Sequence, residues 1–164
     1  LLRGCEVDIL QDGSLDLDDE ILEELDVVVC SVHSKFQLDE VEQTERIISA
    51  IEHPLCHIIG HPTGRLIGQR EAYDLNVEAV IQAAVDNDVA LEINAQPMRL
   101  DLDDTYAKAA KDAGARLVIS TDAHSQSDFR NIRYGVYQAR RGWLEADDVV
   151  NTMSKTELLE WLDR

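Results

Sequence analysis

The sequence predicts an α/β fold built on a mostly parallel sheet. Two observations predict it. Short apolar, β-branched runs alternate with longer segments of helical period. The runs are apolar nearly throughout, as strands covered on both faces are. The 164 residues are enough for one domain with a real core and too few for two of ordinary size. No linker or low-complexity stretch divides them, so 1–164 reads as a single domain.

The elements follow in order. Cys5-Glu6-Val7-Asp8-Ile9-Leu10 reads as the first strand, and Asp12-Gly13-Ser14 as a turn after it. A helix-period segment runs from about Asp18 to Leu25. Val27-Val28-Val29-Cys30-Ser31 is the second strand and Glu40 to Ile51 the second helix. His57-Ile58-Ile59-Gly60 is the third strand, with a helix from Asn76 to Asn87. Ala90-Leu91-Glu92-Ile93-Asn94 and Leu117-Val118-Ile119-Ser120 are the fourth and fifth strands, separated by a helix from Thr105 to Ala113. A helix from Asn131 to Arg140 follows, then short helices near Ala146 to Thr152 and Lys155 to Leu162. Ser154 and Glu157 form a capping box for the last one.

The formal net charge is −18. Nucleic-acid-binding modules gain affinity by neutralising phosphates with a basic surface, so this chain is a poor autonomous DNA binder. Most of the acids fall on helix faces, where they solvate the surface and would keep it soluble in salt-rich surroundings. No apolar run is long enough to span a membrane, and no signal-peptide pattern opens the sequence. Cys5, Cys30 and Cys56 form no Cys-x-x-Cys pair; buried free thiols in a reducing cytoplasm are expected.

In parallel α/β folds functional residues gather at the C-terminal ends of strands, because the loops there open on one face. His33, His61, and Asp122 with His124 follow the second, third and fifth strands; Asn94 ends the fourth and Glu6 lies in the first. Mixed imidazole and carboxylate donors suit Zn²⁺, Mn²⁺ and Fe²⁺, and paired metals activate water for attack at phosphorus. The absence of cysteine from these places argues against a closed structural zinc site. His53 and His57 serve as contrasts, read as a helix-end and a surface histidine. Lys35, Arg65 and Arg99 are the cations near the rim, and Arg65 in the His61-Pro62-Thr63-Gly64 loop could hold a phosphate bidentately or be salt-bridged among the acids. No nucleophile elbow is present, and attack by activated water needs none.

Four segments, Gly4-Cys5-Glu6-Val7-Asp8, Ser31-Val32-His33-Ser34, Gly60-His61-Pro62 and Thr121-Asp122-Ala123-His124, resemble the motifs of the polymerase and histidinol phosphatase (PHP) domain. Ile59 to Leu66, Leu91 to Ala95 and Ala139 to Leu144 resemble the form of that domain found in bacterial and archaeal family X DNA polymerases. The resemblance implies a distorted (β/α)₇ barrel with two or three divalent metals, Mn²⁺ foremost and Zn²⁺ or Fe²⁺ as alternatives. It implies Glu6 bridging two metals, His33 and His61 completing one of them, Asp122 on the other and His124 on a third. Glu6, Asp122 and Arg65 would serve catalysis, and Arg65, Lys35 and Asn94 would bind substrate. The implied activity is 3′–5′ exonuclease and 3′-end processing in DNA repair, on DNA ends presented by other domains of a parent protein. A stand-alone phosphatase acting on a small phosphomonoester, or a metal-binding remnant, are the alternatives. The family's His-x-His motif occurs nowhere in the sequence, and the resemblance places it, with the first barrel strands, ahead of Leu1.

Overall fold

The computed structural model describes Leu1–Asp163. It contains a five-stranded parallel sheet whose strands stand in chain order: β1 (Gly4–Asp8), β2 (Val27–Ser31), β3 (Ile58–Ile59), β4 (Ala90–Asn94) and β5 (Leu117–Ser120). The helices are α1 (Asp19–Leu22), α2 (Glu40–Ile51), α3 (Val77–Asp86), α4 (Asp104–Ala113), α5 (Ile132–Arg141) and α6 (Lys155–Leu162). Strictly sequential order with parallel pairing requires each crossover to turn the same way, so α2 to α5 pack side by side on one face.

Local chemistry fixes the helix ends. Asp39, Asn76 and Asp103 each accept a backbone N–H of the first turn of α2, α3 and α4. The Ser154–Glu157 capping box of α6 is formed in both directions. Gly114 ends α4 at φ 87°, a left-handed conformation that costs glycine nothing. Four segments are shorter or tighter than their patterns suggest. The third strand keeps only Ile58–Ile59 of the expected His57 to Gly60. The first strand stops at Asp8, since Ile9 turns to bridge Leu15. Helix α1 is a single turn without a side-chain cap. The stretch 146–152 forms two 3₁₀ turns, Ala146–Asp148 and Val150–Thr152.

The register sorts the strand residues onto two faces. Val28 pairs Cys5, Cys30 pairs Ile59, and Leu91 pairs Leu117; these face the helices and form the main core with Ile47, Ile51, Val80, Ala84 and Ala107. The opposite face carries Glu6 beside Val29, Val29 beside Ile58, Ile58 beside Ala90, and Glu92 beside Val118. Its N-terminal half is apolar and is covered by Trp161, Leu158 and Leu162 of α6. Its C-terminal half turns polar, with Asp8, Ser31, Glu92, Asn94 and Ser120, and that half holds the site described below.

This arrangement corrects the reading of His57 as a surface residue. His57 is buried; its Nδ1 accepts from Val28 N at 3.1 Å and its Nε2 meets Leu162 O at 3.0 Å. The return of α6 across the sheet buries it. His53 does lie at a helix end, against Asp19. None of the three cysteines is in a disulfide; Cys30 and Cys56 are buried, whereas Cys5 is half-buried. The outer edge of β5 is capped by Asn151, whose amide accepts from Ile119 N at 2.7 Å and donates to Ile119 O at 3.0 Å. No helix among the described residues is long and apolar enough to cross a membrane.

Candidate metal centre

Two strand ends converge on one carboxylate. Glu6 points from the polar face of β1, and its Oε1 lies 3.2 Å from His33 Nε2 and 3.0 Å from His61 Nε2. The three donor atoms all lie within 4.8 Å of one another, and the two imidazoles meet edge to face at a centroid distance of 5.1 Å. His33 and Glu6 are partly open to solvent, while His61 is buried. The cluster is thus reached from one side and walled on the other.

Electrostatics favour a cation here. Hydrogen bonds from His33, then from His61, hold the Glu6 carboxyl well below the usual carboxylate range. The same contact with Glu6 raises the His33 pKa against the opposing effect of its burial. The donor set is two imidazole nitrogens and one carboxylate, a combination that fits Zn²⁺, Mn²⁺ or Fe²⁺.

Close packing makes the convergence possible. Gly60 stands between β2 and the loop after β3, and a side chain there would collide with Ser31 Oγ and Val29 Cγ1. His61 follows with φ 29°, a conformation uncommon for a residue with a side chain. It is held by its backbone N–H, which donates to Glu92 Oε2 at 2.5 Å. Glu92 is fully buried, and burial raises its pKa even though Ser120 Oγ and Asn94 Nδ2 also donate to it. Asp101 is buried as well, accepts Thr63 N at 3.0 Å, and is likewise raised by desolvation.

Asp122 and His124 stand outside the three-donor cluster. Asp122 adopts φ 45° after β5, and its Oδ2 lies 3.2 Å from Asn94 Nδ2 and 3.4 Å from Arg99 Nε. Asn94 therefore bridges Glu92 to Asp122, so a continuous hydrogen-bonded path runs from the His61 backbone to the end of β5. His124 is solvent-exposed, its Nδ1 2.9 Å from Asp122 O.

The cations are arranged differently from the sequence expectation. Arg65 directs Nε to Arg99 O at 2.8 Å, Nη2 to Leu100 O and Nη1 toward Asp103. Its fork ties two loops together instead of lying open for a phosphate. Arg99 is the cation beside Asp122, and its Nη1 is buried without a hydrogen-bond partner. Lys35 lies exposed in the loop after β2 at φ 59°.

Four residues of this region were missed or undervalued from sequence. Asp8 lies with its Oδ1 2.5 Å from His33 Nδ1; its signal was its position two residues after Glu6, hence on the same strand face. Glu92 was a charge inside an apolar strand pattern, which is itself a signal. Asp101 and the pairing of Arg99 depend on loop geometry and left no trace in the pattern.

Comparison with known proteins fits this picture. No protein-family model matches the chain. It is 42% identical over 164 residues to the DNA polymerase/3′-5′ exonuclease PolX of Bacillus subtilis (strain 168), covering all of this chain and 29% of that protein. It is 32% identical over 162 residues to a probable phosphatase of Thermoanaerobacter sp. (strain X514), covering 93% of this chain and 64% of that protein. A probable phosphatase of Shewanella oneidensis is 35% identical over 133 residues, which is 76% of this chain and half of that protein. The chain is a homologue of these proteins and spans less than two thirds of the length of each.

Proposed function

We propose that this chain is part of a PHP-type (β/α)₇ barrel and serves as the metal-dependent phosphoesterase of a family X polymerase, processing DNA 3′ ends. The observation that carries the reading is the convergence of Glu6 from within β1 with His33 and His61 from the ends of β2 and β3, with donor atoms within 4.8 Å. The whole-length similarity to PolX, whose printed name includes 3′-5′ exonuclease, supports the substrate class.

In this reading Glu6, His33 and His61 hold a divalent cation, Mn²⁺ foremost. When bound, the cation supplies charge to offset that developing on the phosphoryl oxygens and lowers the pKa of water. Each residue has its own task. Glu6 presents one oxygen toward both imidazoles, so its negative charge sits at the centre of the cluster. Buried His61 fixes the position of the site against the barrel wall. Arg99, 3.4 Å from Asp122, places positive charge at the end of β5, where a phosphate would be held. Asn94 keeps Asp122 oriented from below. Asp122 and His124 at the end of β5 would complete further metal positions.

The test is a hydrolysis assay on chelator-stripped protein titrated with Mn²⁺, offering a 3′-labelled single-stranded DNA and p-nitrophenyl phosphate. Release of mononucleotides, lost in His61→Ala, is the expected result. Turnover of p-nitrophenyl phosphate alone would transfer the reading to a phosphatase acting on a small phosphomonoester; two of the relatives are named as probable phosphatases. Equal turnover in wild type, His33→Ala and His61→Ala would overturn the metal-dependent reading altogether.

A further inference from the structure

We propose that Asp8 is the positioning residue of the metal centre: it stands behind the His33 ring, receives the proton on Nδ1, and so leaves Nε2 facing the ligand cluster. The inference rests on the reading that Glu6, His33 and His61 hold a divalent cation.

The argument starts from imidazole chemistry. A neutral imidazole has one nitrogen carrying hydrogen and one carrying a lone pair, and only the second can bind a metal. Which nitrogen is which depends on what each ring edge meets. Asp8 Oδ1 lies 2.5 Å from His33 Nδ1. An ionised carboxylate only accepts, so the hydrogen belongs on Nδ1. On the other ring edge, Nε2 lies 3.2 Å from Glu6 Oε1, inside the cluster. Without a cation, Nε2–H donates to Glu6; a cation in the cluster takes the place of that hydrogen, and the lone pair of Nε2 is then directed to where the other two donors meet.

The strand produces this pairing without special geometry. Glu6 and Asp8 are two residues apart on β1 and project from the same face. Register places Asp8 opposite Ser31, two residues before His33 on the neighbouring strand. One carboxylate thus reaches the front of the ring and the next reaches its back. Asp8 is not a fourth ligand by position, since it does not belong to the group of donor atoms lying within 4.8 Å. The His33 side chain is 39% exposed, so few packing contacts orient it. The bond to Asp8 does that work, as carboxylates behind metal-bound histidines do generally.

The experiment uses the full chain, stripped of metal and titrated with Zn²⁺ in competition with a chromophoric chelator. Wild type, Asp8→Ala, Asp8→Asn and His33→Ala are compared, with thermal melts as a folding control. Asp8→Ala is expected to weaken Zn²⁺ binding by about 10- to 100-fold. Asp8→Asn should lose only about fivefold, because its amide oxygen still accepts from Nδ1–H without the charge. In nitrogen-15 spectra of the Zn²⁺-loaded protein, His33 should carry its proton on Nδ1 in wild type and in Asp8→Asn. If Asp8→Ala binds Zn²⁺ like wild type while His33→Ala does not, the inference fails and the metal reading stands. If Asp8→Asn falls as far as Asp8→Ala, Asp8 is itself a ligand and the inference is overturned. If His33→Ala binds like wild type, the metal reading itself fails.

Discussion

The backbone N–H of His61 donates to the buried carboxylate of Glu92 at 2.5 Å. This bond attaches a histidine of the three-donor cluster to the middle of the sheet. Through Asn94 the same carboxylate reaches Asp122, so residues after β3 and β5 share one buried anchor. The anchor lies at the point where the sheet face changes from apolar to polar.

Replacing that anchor separates hydrogen bonding from charge. Glu92→Gln keeps an oxygen for His61 N–H, and Ser120 Oγ can rotate to accept from the new amide. Burial already disfavours the Glu92 charge, so urea denaturation should show little change in this variant. Glu92→Leu leaves buried donors without acceptors and should cost about 1–3 kcal/mol for each one orphaned. Equal stability of the Leu variant and wild type would remove Glu92 from the account.

The Glu6–His33 contact predicts a pH signature in metal-free protein. The Glu6 pKa is lowered by folding, so its contribution is present above about 4.5 and is lost as pH falls through the folded value. The His33 pKa is raised, so its contribution is complete below about 6.5 and is lost as pH rises through the folded value. The Tm difference between wild type and Glu6→Gln should therefore be greatest between about pH 4.5 and 6.5. A difference independent of pH from 4 to 8, across the range in which carboxylates and imidazoles titrate, would contradict the pairing.

Arg65 and Arg99 make a double-mutant test. If Arg65 acts only by holding the Arg99–Leu100 backbone, its removal matters through Arg99. Arg99→Ala should raise KM for DNA by about tenfold, the loss of one charge-assisted contact. Adding Arg65→Ala to Arg99→Ala should raise KM no further, whereas independent phosphate contacts would multiply.

Arg46 is expected to be the most costly single truncation on α2. Its guanidinium is buried and donates to the carbonyls of Leu10 at 2.8 Å, Ser34 at 2.9 Å and Ile9. Arg46→Ala strands these acceptors and empties the space, for a loss of about 3–5 kcal/mol in chemical denaturation. Arg46→Lys should recover only part of it, because an ammonium cannot serve three carbonyls in a fork. A loss below about 1 kcal/mol for the alanine variant, the usual scale of a surface change, would refute this role.

Much of the site was legible because parallel α/β strands deliver their following residues to one rim. That rule put His33 and His61 on one rim, and the motif resemblance grouped them with Glu6, where the structure brings the three together. It could not place Asp122 and His124 relative to them, because distance across the rim depends on sheet curvature and loop path. It left open whether Arg65 meets a phosphate or an acid; the structure pairs it with Asp103 and with carbonyls 34 and 35 residues away. His57 looked exposed for the same reason, since Leu162 lies 105 residues further along the chain.

The sequence by itself determined the α/β class, the order of strands and helices, the capping box of α6 and a set of candidate donors at the strand ends. These follow from periodicity and from residue chemistry, which act over a few residues. Only the tertiary structure decided which donors meet, which carboxylate stands behind His33, and which arginine remains available. Those outcomes depend on register between strands and on loops closing over long separations, where a shift of one residue would turn Glu6 and Asp8 to the opposite face.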